Sequence, residues 1–164
     1  SPVRWPTPII FSSSKLWSLV QEWRISQGLP SYIKDERLCA IAEERAPEVI
    51  HETRDPHKGF LEKYKNYPYV ISENGSTGHS SEESALQGWL DSPAHRKALE
   101  ADWKYSCLSC AGTSCAHIFS NLGDTIQPKQ CSSNLQGCCS HHGGVCGCED
   151  GSVVCCDGTY SPSC

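Results

Sequence analysis

The stretch Trp89-Leu90-Asp91-Ser92-Pro93-Ala94-His95-Arg96 decides how the chain is read. Trp89 and Leu90 continue an apolar face begun by Ala85 and Leu86, and Ser80 with Glu83 is spaced as a capping box, so a short helix is expected to open there. Ser92 followed by Pro93 then restarts a helix, because serine caps an N-terminus and proline suits the first helical position. His95 falls in that first turn, where the positive end of the helix dipole disfavours a charged imidazole.

Upstream, Pro2, Pro6 and Pro8 make residues 1–13 an extended arm. Ser12, Ser13 or Ser14 caps a first helix carrying Leu16, Leu19, Val20 and Trp23, which Gly28 and Pro30 close. A second helix is expected from Asp35, with Leu38, Ile41, Ala42, Val49 and Ile50 inward and Pro47 kinking or ending it. Residues 51–79 are rich in turn formers and read as a long irregular crossing with one short helical turn, the kind of segment on which sites are carried.

Downstream of Trp103, residues 104–110 and 114–122 read as two strands joined through Ala111, Gly112 and Thr113. Residues 124–130 are a linker, and residues 131–164 hold eight of the twelve cysteines. A segment so rich in cysteine and glycine has too little apolar surface for an ordinary core, so disulfides are expected to order it, with no spacing that selects the connectivity. Cys39, Cys107, Cys110 and Cys115 are expected to be structural cystines as well. Cys107-x-x-Cys110 lacks a second such pair, which weakens a redox or zinc reading. His141 and His142 supply zinc-type ligands in the tail, but their place beside Gly143 and Gly144 suits exposed loop histidines.

Disulfide density, a start at Ser1 and the absence of methionine together give the expectation of a secreted, extracellular protein whose signal has been removed. No run of roughly 18 apolar residues is present, so no membrane span is expected. A formal net charge of −5 argues against nucleic acid as a partner, since a polyphosphate calls for a basic face. A monomer is expected. Most of Trp5, Trp17, Trp23, Trp89 and Trp103 are read as core anchors.

The run from Trp89 to Arg96, preceded by Glu82 and Glu83 and by the Glu73-Asn74 dipeptide, resembles the bacterial branch of the CAP superfamily (cysteine-rich secretory, antigen 5 and pathogenesis-related 1 proteins), whose usual run is W-x-N-S-P-G-H-R. Residues 19–30 and 35–46 resemble that family's first two helices. Ser72, Asp91 and Ala94 depart from its pattern without removing an ionisable group. The resemblance covers roughly residues 14–122. It implies an α+β fold, a three-layer α-β-α sandwich over residues 14–123, followed here by a small disulfide-stapled domain.

The resemblance also implies a cleft of two histidines and two acids, carried over as His57, Glu73, Glu83 and His95, with His51 a competitor for His57. His57 and His95 would be the metal ligands if zinc or another divalent metal is held, with a glutamate completing the set. Each residue has a plainer use: Glu83 in the capping box, Glu73 holding its loop, His95 bonding the preceding loop. Three functional readings follow. One is binding of a lipid, apolar or cell-envelope ligand through the cleft, with the tail as a second recognition module. Another is a zinc-dependent hydrolase or peptidase. The last is a protease-resistant structural or defence factor.

Overall fold

Ser12, extended at φ −85°, accepts a hydrogen bond from the Lys15 N–H and opens α1 (Ser13–Ser26) in the computed structural model of the protein. That model describes residues 1–124, 139, 145–149 and 152–155. Asp35 caps α2 (Glu36–Val49) in the same way, through the Arg37 N–H. Pro47 lies inside α2, which ends two residues later, so the missing donor costs the helix only its last turn. The Ser80–Glu83 capping box does not form. Ser81 is the N-cap of α4 (Glu82–Asp91), and the backbone N–H of Ser81 and of Ser84 each donates to the other's hydroxyl oxygen at 3.1 Å. The box is displaced by one residue, which frees Glu83. Ser92 and Pro93 then open α5 (Pro93–Glu100), with Pro93 in the first turn and no side-chain bond from Ser92.

The crossing between α2 and α4 is more regular than the expected loop. It contains α3 (Lys58–Tyr64) and a strand, β2 (Ile71–Ser76), while β1 (Ile33–Lys34) lies between α1 and α2. The hairpin β3 (Tyr105–Ala111) and β4 (Ser114–Ser120) turns at Gly112, whose φ of 61° suits the first central position of a tight hairpin loop. The sheet runs β1-β3-β4-β2, parallel between β1 and β3 and antiparallel elsewhere.

Alternation along the hairpin sends its side chains into two cores. Leu108 and Phe119 join Leu16, Val20, Leu86, Trp89 and Leu99 from α1, α4 and α5. Cys107 and Ile118 join Leu38, Ile41, Ala42 and Phe60 from α2 and α3. The result is a sheet with a helical layer on each face, as expected. β4 is buried along its whole length because both its edges are paired and both its faces covered.

Two disulfides staple this unit: Cys39–Cys107 ties α2 to β3, and Cys110–Cys115 crosses the hairpin. The Cys107-x-x-Cys110 pair is therefore split between two structural cystines. Of the tryptophans, Trp89 is buried, Trp17, Trp23 and Trp103 pack partly against the first core, and Trp5 is 83% exposed on the arm. The arm itself is exposed as far as Ile10 and is anchored at Phe11, which is buried and donates its N–H to Gly112 O at 2.8 Å.

The chain divides into two units, Ser1–Asp124 and Thr125–Cys164. In the second, β5 (Val145–Glu149) pairs antiparallel with β6 (Ser152–Cys155), and Cys139 is bonded to Cys155. Asp124, the first residue of the expected linker, belongs to the first unit and accepts from Lys104 Nζ and Tyr105 OH, whereas residues 125–130, His141 and His142 and the remaining tail expectations lie outside the described residues. Among the described residues no helix is long and apolar enough to cross a membrane.

Candidate functional site

Arg45 stands on the apolar stripe of α2, one turn beyond Ile41 and Ala42, so its guanidinium enters the protein with a side-chain exposure of 0%. It is matched there donor by donor. Nε donates to Glu73 Oε2 at 2.7 Å, Nη1 to Glu48 Oε2 at 2.5 Å and Glu52 Oε1 at 2.8 Å, and Nη2 to Glu52 Oε2 at 2.5 Å and Glu73 Oε1 at 3.1 Å. Those five bonds use all five N–H groups of the side chain. A buried cation is tolerated on such terms, because each donor has a charged acceptor.

Glu73 owes its place to strand register: it pairs with Ile118 of β4, and its carboxylate points to α2. Burial alone would raise the Glu73 carboxyl, but the bonds from His57 and Arg45 outweigh it and hold the group below the ordinary carboxylate range. Glu52 is held down too, first by Arg45 and also by the Gly59 N–H, which donates to its Oε1 at 2.9 Å.

His57 precedes α3 in the left-handed region, at φ 66°, a conformation that costs a non-glycine residue energy and is held by its surroundings. Its Nδ1 lies 2.9 Å from Glu73 Oε1. Two residues on, Gly59 seats the first turn of α3 on the ion pair, where a Cβ would come within 2.4 Å of Arg45 Nη1 and 2.5 Å of Glu52 Oε1. Only a residue without a side chain admits that approach.

His95 reaches the same place from α5. The Asn74 amide donates to His95 O at 3.0 Å, tying the first turn of α5 to β2, and the Trp89 indole donates to Gly75 O at 2.8 Å. The His57 and His95 rings meet edge to face with centroids 6.4 Å apart. Burial, helped by His57, lowers the pKa of His95, which favours a neutral ring.

His57, Glu73 and His95 line one cavity of about 170 Å³. Val49, Pro56, Gly75 and Thr77 give it a largely apolar wall, and Glu52 adds a carboxylate. Glu83 is not among the lining residues: its side chain is 56% exposed and pairs with Lys15 at 2.9 Å, a surface contact that the shifted capping box leaves it free to make. His51 is exposed and does not line the cavity either.

The donor set does not suit a catalytic zinc. Both oxygens of Glu73 and both of Glu52 already accept from Arg45, with His57 also on Glu73 Oε1 and the Gly59 N–H on Glu52 Oε1, which leaves two imidazoles where three protein ligands are needed. Among the described residues no three His, Cys, Asp or Glu side chains are grouped to hold an ion.

Sequence reasoning did not single out Arg45 or Glu52. The signal was present for Arg45: at i+4 from Ile41 and i+7 from Leu38, it is a charge on a core stripe, and such a residue must be paired. His117 is a second such case. This fully buried imidazole on β4 bonds Ser106 Oγ through Nε2 and lies within 6.1 Å, centroid to centroid, of Trp17, Tyr32, Trp89 and Phe119.

The chain resembles solved structures of bacterial surface and secreted proteins. An extracellular protein containing a SCP domain from Bacillus anthracis str. Ames superposes with a TM-score of 0.54 at 22% identity, covering 66% of this chain and 39% of its own. A cysteine-rich secretory protein from Staphylococcus aureus gives 0.54 at 18%, covering 66% and 38%. An outer surface protein from Borrelia burgdorferi gives 0.56 at 18%, covering 70% and 98%. At these identities the likeness is one of fold, and the chain spans less than two fifths of the first two proteins. No curated protein sequence matches it. The sequence model of the Cysteine-rich secretory protein family, CAP, matches residues 17–119, well over half of the chain, and with the fold described above this places the protein in that family.

Proposed function

We propose that this is an extracellular CAP protein that works by binding, taking an apolar or cell-envelope ligand into the cavity between His57 and His95, with the cystine-rich tail as an accessory module. The observation that carries the reading is the hydrogen-bonded pair in that cavity: Glu73 is bonded both to Arg45 and to His57, while the walls are mainly apolar. A preorganised polar pair in an apolar hollow is the usual make-up of a small-molecule site.

The volume narrows the ligand. Pockets that enclose a drug-sized molecule run from roughly 300 Å³ upward, so about 170 Å³ admits a small head, a short chain end or one substituent of a larger molecule that continues along the surface. The same chemistry disfavours hydrolysis with Glu73 as general base. A carboxylate tied to a guanidinium and held below its ordinary pKa is a poor proton acceptor.

Extracellular placement is supported by the described cystines and by the surface and secreted proteins that share the fold. The test is a thermal-shift screen of the full chain with lipids, peptidoglycan fragments and chitin fragments. Stabilisation by one class, lost in His95→Ala, is expected. No stabilisation by any of them removes the reading.

A further inference from the structure

We propose that Arg45 is a positioning residue that fixes the tautomer of His57 through Glu73, so that the cavity offers a lone pair at His57 Nε2 and selects ligands that bring an uncharged O–H or N–H donor. The inference rests on the binding reading above and adds to it the polarity of the ligand.

The argument starts from the five bonds of Arg45. Glu73 receives two of them, Nε to Oε2 and Nη2 to Oε1, so it is ionised and can only accept. The His57 Nδ1 at 2.9 Å must therefore carry the proton and donate it to Glu73 Oε1. In a neutral imidazole the other nitrogen is then an acceptor. His57 lines the cavity with a side-chain exposure of 31%, and His95 stands beside it across the same space.

The arrangement is held from three directions. Arg45 fixes the plane of the Glu73 carboxylate. Glu52 bridges Arg45 to the Gly59 N–H and so pins the start of α3. The left-handed backbone at His57 turns its ring toward Glu73. Lysine at position 45 has three donors on one nitrogen and cannot serve three carboxylates in a plane. A ligand that only accepts hydrogen bonds meets a like-poled nitrogen at His57, whereas one with an uncharged donor is paired there.

Long-range proton–nitrogen NMR on the labelled full chain tests this at about pH 8, above the ordinary histidine range, with His57 assigned by its loss in His57→Gln. The parent is expected to show the Nδ1–H tautomer. In Glu73→Gln, Arg45 Nε keeps the amide oxygen and leaves the amide nitrogen facing His57, so the proton is expected to move to Nε2. An Nε2–H tautomer in the parent, or an unchanged Nδ1–H tautomer in Glu73→Gln, overturns the assignment to Arg45. Should that variant fail to fold, Arg45→Lys is read in its place, with loss of the Nδ1–H preference expected and its retention overturning the proposal.

Two probes of similar size then read selectivity: N-methylacetamide, which has an N–H, and N,N-dimethylacetamide, which does not. The first is expected to shift the His57 and His95 signals with about tenfold tighter binding, the worth of one buried hydrogen bond. Equal binding of the two overturns the selection by donor. No response to either contradicts both that selection and the binding reading, and leaves the tautomer result to decide the role of Arg45 by itself.

Discussion

Arg45 Nε and Glu73 Oε2 lie 2.7 Å apart across 28 residues of sequence, one on a helix and one on a strand that pairs only through its register with β4. The contact joins the second core to the cavity, so the stability of the domain and the geometry of the candidate site depend on one ion pair.

Removing the cation leaves Glu73 with His57 alone and Glu52 with the Gly59 N–H alone, while Glu48 keeps Lys63. Arg45→Met is expected to cost about 3–5 kcal/mol, the penalty for breaking a buried pair from one side. Glu73→Gln leaves Arg45 with Glu48 and Glu52 and costs less. Denaturant unfolding of the two variants checks both the size and the order.

Gly59→Ala runs against helix propensity. Alanine in α3 is favoured by about 1 kcal/mol on intrinsic grounds, yet its Cβ would enter the space held by Arg45 Nη1 and Glu52 Oε1. Because those atoms are fixed by their own bonds, a net loss of about 1–3 kcal/mol is expected. A gain in midpoint on equilibrium unfolding would show the seat to be yielding.

His117 sets an acid limit. Burial, aided by the Arg24 charge, pushes its pKa from 6.5 down to about 3. Between those values the unfolded chain binds a proton that the folded one refuses, so stability is full above about pH 7 and falls as the pH drops toward 3. The loss is on the order of 5 kcal/mol by linkage. His117→Phe combined with Ser106→Ala, which removes both partners of the buried bond, is expected to flatten that part of the curve of stability against pH.

The two disulfides of the CAP unit should differ in weight. Cys39–Cys107 closes 68 residues and Cys110–Cys115 only 5, which the loop-entropy relation turns into about 4 and about 2 kcal/mol. Paired cysteine-to-alanine variants, compared by thermal unfolding, measure the difference directly.

Much of the fold was legible because its signals are local. Ser12 and Asp35 cap helices, Pro93 starts one, and Gly112 turns the hairpin where the residue types say it should. β2 was not legible: Ile71–Ser76 is polar and rich in turn formers, and it is a strand because β4 offers it an edge. Helix phase decided Glu83. One residue of error in the capping box was enough to place it on the Lys15 surface, away from the cavity. The Arg45–Glu73 pair spans 28 residues and no local pattern joins it, although a charge on the α2 stripe called for a partner.

Binding in the cavity is the claim on which the functional account stands, and calorimetric titration of the best ligand from the thermal-shift screen into the parent, His57→Ala and His95→Ala addresses it most directly. Saturable binding by the parent, weakened at least about tenfold, or 1.4 kcal/mol, in each variant while its fold is retained, is the predicted result. Equal affinity in all three would place the ligand elsewhere on the protein and contradict the account.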